Sequence, residues 1–177
     1  DINIWDQSGA LHKTIPLDQS NAVSINYLVE YGNRVFGAAT RNLENIVVHY
    51  NRLSTGEYDY RDFYNQFPVT VGAIQDIAVF QDRIYLATDV GLIRTKEVLK
   101  NTPNLKTDNA WERISGNTDY NALTVANDAL HIAHNETVWQ YDGNTFSELP
   151  IAASVDTIYT LQTLENTVYA GTHYGVF

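Results

Sequence analysis

One short block occurs four times in this chain. It reads Val-Phe-Gly-Ala-Ala-Thr at 35–40, Ile-Tyr-Leu-Ala-Thr-Asp at 84–89, Leu-His-Ile-Ala-His-Asn at 130–135 and Val-Tyr-Ala-Gly-Thr-His at 168–173. The starts lie 49, 46 and 38 residues apart. Self-similarity at such a period means one supersecondary unit used repeatedly, each copy burying its apolar face against the next. The chain must therefore fold as an array of like units.

The punctuation around the block identifies the unit. An Asx residue (Asn33, Asp82, Asp128 or Asn166) stands two positions before each block, and a large aliphatic (Leu28, Ile77, Leu123 or Leu161), expected at equivalent buried positions between neighbouring blades, stands five positions before that. Asn and Asp tolerate left-handed backbone and bond their own main chain, so they favour tight turns. Apolar residues on both sides of such a turn predict a β-hairpin. Strand a is predicted at about 24–31, 75–80, 121–126 and 157–164, and the block itself is strand b. The Ala and Gly residues inside strand b read as packing positions where backbones approach closely.

A second repeat supplies the rest of the unit. Residues 3–16 align without a gap on 137–150, matching Trp5 to Trp139, Gly9 to Gly143 and Pro16 to Pro150. The offset of 134 is about three periods. Ser8-Gly9 and Asp142-Gly143 read as hairpin turns, so these segments are strands c and d. A four-stranded antiparallel meander of this length is the blade of a β-propeller. The predicted fold is all-β, with about four blades divided as 1–20, 21–69, 70–117, 118–152 and 155–177. The chain starts and stops in a strand c, with Val176 and Phe177 at the repeat positions of Ile4 and Trp5, which is expected of a segment from a larger propeller.

Composition narrows the partners. Hydrophobic residues make up 44% of the 177, enough for a packed core. The net charge is −10 with only 11 scattered Lys and Arg, which argues against nucleic acid. There is no cysteine, so disulfides and thiolate metal sites are excluded. No apolar run reaches the ~18 residues of a membrane helix.

Little in the sequence suggests catalysis. His131 and His134 sit three apart on a strand and point to opposite faces, so no shared metal is expected. His131 takes the slot of Phe36, Tyr85 and Tyr169 and reads as a packed core histidine. Glu57, Asp59 and Asp62 read as solvated charges of an outer strand at 58–64. No nucleophile elbow, phosphate loop or Ser-His-Asp order is present, so no catalytic residue, metal or cofactor is expected. The b–c corners of neighbouring blades carry Arg41, Asp89, His134, His173 and Tyr174. In a propeller such corners rim one end of the channel, and this polar, aromatic set is the predicted ligand-binding face for a glycan or peptide. The 95–110 stretch lacks strand periodicity and reads as a long loop with a helical turn, leading to Trp111 at the start of strand d. A loop of that length on a rigid scaffold is a second place to look for function.

Ile84-Tyr85-Leu86-Ala87-Thr88-Asp89-Val90-Gly91-Leu92-Ile93 resembles the propeller repeat of two-component-regulator sensor domains, and the match is closer at Val168-Tyr169-Ala170-Gly171-Thr172-His173-Tyr174-Gly175-Val176-Phe177. Pro103-Asn104-Leu105 followed by Asn109-Ala110-Trp111 is similar to PorZ-like surface propellers of type IX secretion systems. The blade at 118–152 departs from the repeat, with His134-Asn135-Glu136 in place of Gly-Thr and Gly. The resemblance implies a non-enzymatic binding or scaffold module, periplasmic or on the bacterial cell surface, with a protein or glycan partner at the envelope. The alternatives it leaves open are a periplasmic ligand-sensing domain of a two-component regulator and a carbohydrate-active propeller enzyme.

Overall fold

Every repeated block becomes the second strand of a meander, and the turn before it explains why. Gln81 and Asp82 (φ 48° and 58°), Asn127 and Asp128 (50° and 57°) and Glu165 and Asn166 (49° and 64°) all adopt left-handed backbone. Two consecutive residues at positive φ make the hairpin turn whose twist matches right-twisted strands. The computed structural model describes residues 2–5, 11–15, 24–116, 118–150 and 156–177.

The chain forms two compact units, Asp1–Asn65 and Gln66–Phe177. The first holds a two-stranded sheet of β1 (Ile2–Trp5) and β2 (Leu11–Ile15). It also holds a four-stranded meander of β3 (Ser24–Tyr31), β4 (Arg34–Arg41), β5 (Glu44–Arg52) and β6 (Tyr58–Tyr64). The second begins with a meander of β7 (Ile74–Phe80), β8 (Arg83–Thr88), β9 (Gly91–Thr95) and β10 (Trp111–Arg113). Next comes β11 (Ala122–Ala126), β12 (Ala129–His134), β13 (Thr137–Tyr141) and β14 (Phe146–Leu149). The last described sheet has three strands, β15 (Ile158–Leu164), β16 (Thr167–Thr172) and β17 (Gly175–Val176). All pairings are antiparallel, and the fold is all-β, built from β-propeller blades. The strand a positions read from sequence agree with β3, β7, β11 and β15 to within a residue.

In the two four-stranded blades of the second unit, strand b is buried on both faces. In β8 every residue after Arg83 is buried, and in β12 every residue before His134. The small residues of the block serve close approach. A Cβ on Gly37 would lie 2.9 Å from the side chains of Ile25 and Leu28. One on Gly171 would lie 2.5 Å from Thr160.

In the second unit the blades pack face to face. Tyr85, Ala87 and Leu92 of one blade meet Leu123, Leu130, Ile132 and Tyr141 of the next in a single buried cluster. Ala122, Ala133 and Val138 pack likewise on Ile158 and Leu161 of the third. Polar bonds stitch the same seams: Asn121 donates to the Ile158 carbonyl (2.9 Å), and the Thr124 and Thr163 hydroxyls bond each other (2.8 Å).

Two expectations need correction. Ile77, Leu123 and Leu161 are buried, but Leu28 is only half-buried and packs on the margin of its own unit's cluster. The N-terminal hairpin does not share the register of 137–150. Val138 faces Leu149, whereas Ile4 faces Lys13 and a bulge follows at Trp5. The pairing at Ile4 is thus shifted by two residues from that of Val138. The proposed Ser8-Gly9 turn lies outside the described residues.

Candidate functional site

The b–c corners owe their shape to local bonds. In two blades the corner reads Thr-x-x-Gly. The Thr88 hydroxyl donates to the Gly91 carbonyl (2.6 Å) and accepts from the Val90 amide (3.2 Å). Thr172 does the same with Gly175 and Tyr174, both at 3.2 Å. The glycines close the turn at φ 131° and 140°, a region closed to other residues. The blade that departs from the repeat solves the corner differently. Asn135 takes the left-handed position (φ 49°), and the Thr137 hydroxyl donates back to the His134 carbonyl (2.8 Å). The missing Gly-Thr is thus replaced by an Asn-centred turn.

Two of the five residues predicted to face a ligand, Asp89 and His134, are engaged in this framework. Asp89 accepts the backbone amides of Gly72 (3.0 Å) and Ala73 (3.1 Å), clamping the chain that enters its blade. A Cβ on Gly72 would collide with that carboxylate at 2.4 Å. His134 places Nδ1 2.7 Å from the Asp119 carbonyl and meets Tyr120 edge-on at 5.9 Å. His173 and Tyr174 are brought together, edge to face at 5.4 Å, and Tyr174 is 79% exposed. Arg41, in the first unit, lays its guanidinium 4.2 Å over the Phe63 ring, and its Nε has no hydrogen-bond partner among the described residues. His131 is buried at 5% exposure, and burial pushes its pKa down, as suits a core histidine. Among the described residues no three His, Cys, Asp or Glu side chains converge as metal ligands would.

Two half-buried groups escaped sequence reasoning. His49 stacks on Phe36 at 4.6 Å and shares a 2.9 Å hydrogen bond between Nδ1 and the Tyr64 hydroxyl. Burial, with the Arg34 charge, lowers its pKa to about 4, so it is neutral at pH 7. Asp76 sits after a bulge in β7 and holds a blade seam. Its Oδ1 accepts the Ile77 amide (2.7 Å) and its Oδ2 the Leu123 amide of the neighbouring blade (2.8 Å). Burial raises its pKa to about 6, against the lowering effect of those two amides.

A carboxyl whose folded pKa exceeds its unfolded value adds stability at low pH, and that stability is lost as pH rises through the folded pKa. We expect Asp76→Asn to remove this component. The wild type minus variant difference in unfolding free energy should fall by on the order of 2 kcal/mol between pH 4 and pH 8. Parallel pH profiles for the two proteins in urea unfolding would contradict the assignment.

The 95–110 loop forms a second, more open site. It joins β9 to β10, at the end of the blade opposite the b–c corner, because successive connections of a meander alternate ends. Two 3₁₀ turns, Leu99–Asn101 and Asp108–Ala110, shape it. Leu99 and Leu105 are buried anchors at 0% and 3% exposure. The Trp111 indole donates to the Leu105 carbonyl (3.0 Å), the Lys96 amide to Ala110 (2.9 Å) and the Leu99 amide to Asp82 (2.6 Å). Arg83 donates to the carbonyls of Thr95 and Lys96 at the loop's neck. Above this floor lies a cavity of about 280 Å³ lined by Lys96, Glu97, Pro103, Asn104, Thr107, Asn109 and Ala110. The sequence signalled the loop through its missing periodicity. It gave no sign of which side chains would line a cavity, because that depends on the buried pins.

No family model and no curated protein matches the chain. Among solved structures it is similar to the extracellular domain of a hybrid two-component system from B. thetaiotaomicron, at 18% identity and TM-score 0.56 over 86% of this chain and 20% of that one. It is similar to the periplasmic gluconolactonase PpgL of Pseudomonas aeruginosa, at 10% identity and TM-score 0.58 over 84% and 50%. BamB from Moraxella catarrhalis matches at 12% identity and TM-score 0.52 over 84% and 41%. The chain thus spans half or less of the length of each of these. Two of the three are extracellular or periplasmic by description, and what the likeness establishes for this chain is the fold.

Proposed function

We propose that the chain is a non-enzymatic binding and scaffold module of an exported bacterial protein, acting at the cell envelope on a protein or glycan partner. The observation that carries this reading is the open, polar cavity held on the pinned 95–110 loop of a rigid blade. At the opposite end of the blades, Asp89 and His134 hold main-chain groups, which favours a structural over a catalytic role for them. The Pro103-Asn104-Leu105 and Asn109-Ala110-Trp111 motifs border the cavity, so the PorZ-like resemblance and the cavity fall on the same segment. That supports a place in type IX secretion and cargo attachment at the cell surface.

A second reading, a ligand-sensing extracellular domain, is favoured by the likeness to the two-component-system domain. The immobilised chain exposed to envelope and cytosolic extracts of a bacterium with type IX secretion tests the first reading. Enrichment of an envelope protein or surface glycan over the cytosolic control is expected. Recovery of neither counts against it.

A further inference from the structure

The loop cavity has a chemistry specific enough to name a ligand class. The inference rests on the binding-module reading and identifies what the module's cavity takes. Four of its lining side chains have unspent polar groups. The Lys96 ammonium, the Glu97 carboxylate, the Thr107 hydroxyl and the Asn109 amide are all exposed and make no hydrogen bond or ion pair among the described residues. Asn104 uses Oδ1 to accept the Lys106 amide (3.1 Å) and keeps its NH₂ free. Donors and acceptors are therefore interleaved, and the two charges cancel. Pro103 and Ala110 add a small apolar surface beside them.

The ligand must offer both donors and acceptors at close spacing, carry no net charge and be small. At about 280 Å³ the cavity lies just below the usual range of small-molecule sites. A peptide is a poorer match, because it would need an apolar anchor pocket or a long free strand edge. Here the blade's outer strand β10 has only three residues, and the only apolar lining is Pro103 and Ala110. An anion would meet Glu97 and a cation Lys96. A neutral sugar ring meets every requirement: its hydroxyls donate and accept at once, and its C–H face suits a proline ring.

Preorganisation adds to the fit. The Trp111 indole, the Lys96–Ala110 bond and the buried Leu99 and Leu105 hold the loop's backbone, so little ordering remains to oppose binding. We propose that the cavity formed by Lys96, Glu97, Asn104, Thr107 and Asn109 binds a single neutral pyranose, the terminal residue of a glycan.

Saturation-transfer and chemical-shift NMR on the chain with methyl glycosides of neutral hexoses, 6-deoxyhexoses and N-acetylhexosamines tests this. A methyl uronoside and a blocked tetrapeptide serve as class controls. At least one neutral glycoside should perturb residues 96–110 with millimolar affinity. Glu97→Ala and Asn109→Ala should each weaken it by about tenfold, because each removes one hydrogen bond to a sugar hydroxyl. Both side chains are exposed, so the melting temperature should not move. Sugar binding unchanged in both variants would put the ligand elsewhere and overturn this site while leaving the module reading intact. Perturbation of the loop by the uronoside or tetrapeptide alone would overturn the ligand class. Silence of 96–110 toward every probe would overturn the cavity as a site, and the extract experiment then judges the module reading independently.

Discussion

Trp111→Ala is expected to lower the unfolding free energy by about 3–5 kcal/mol, as is usual for removal of a fully buried large aromatic. Trp111 is 0% exposed and carries two duties. Its ring packs edge-on against Phe67 with centroids 5.3 Å apart, and its indole N–H satisfies the Leu105 carbonyl at 3.0 Å. Truncation leaves a cavity under β10 and an unpaired carbonyl in the loop. Trp111→Phe separates the two duties, since it keeps most of the packing and loses only the donor. It should cost about 1–3 kcal/mol, the penalty for a buried polar group without its partner. Urea unfolding followed by circular dichroism gives both values. Hydrogen exchange should also accelerate over 96–110 in both variants, because both free the Leu105 carbonyl. An alanine variant within about 1 kcal/mol of wild type would mean that the loop is held by its other bonds alone.

The blade could be read from sequence because its signals are local. The Asx turns, the strand boundaries and the identity of strand b all depend on residues within a few positions of one another, and β3, β7, β11 and β15 appear where the turn pattern places them. Trp111 at the start of β10 is legible for the same reason. What could not be read depends on partners distant in the chain. Asp76 looks like an ordinary strand carboxylate until β11 brings the Leu123 amide to 2.8 Å across 47 residues. His49 gains its character only from Phe36 and Tyr64 on the flanking strands. The corner residues Asp89 and His134 looked available because a sequence does not show that Gly72, Ala73 and Asp119 have main-chain groups waiting for them. The register of β1 and β2 differed because alternation of apolar and polar residues leaves a slip of two undetected.

Tyr85→Ala and Tyr169→Ala are expected to differ by several kcal/mol although the two residues hold the same place in the repeat. Tyr85 is 0% exposed. It lies 5.9 Å from Phe80 and 6.2 Å from Tyr141 of the following blade, in a cluster that includes Leu130 and Ile132. Its loss should cost about 3–5 kcal/mol. Tyr169 is 38% exposed, and its companion Val176 is 71% exposed where the equivalent Leu92 is fully buried. Here substitution should cost less than about 1 kcal/mol. In a repeat array, stability is the sum of what each unit contributes alone and what it gains from its neighbour, so one side chain measures the neighbour's presence. The pair of variants therefore reports on the last sheet as well as on the core. If Tyr169→Ala proves as costly as Tyr85→Ala in urea unfolding, the face bearing Tyr169 and Val176 is covered in solution, and the difference in burial described for the two blades is wrong. If the costs separate as expected, the seam between β8–β9 and β11–β13 is a principal source of cohesion in the second unit, and Asp76, lying across that same seam, is placed to tune it with pH.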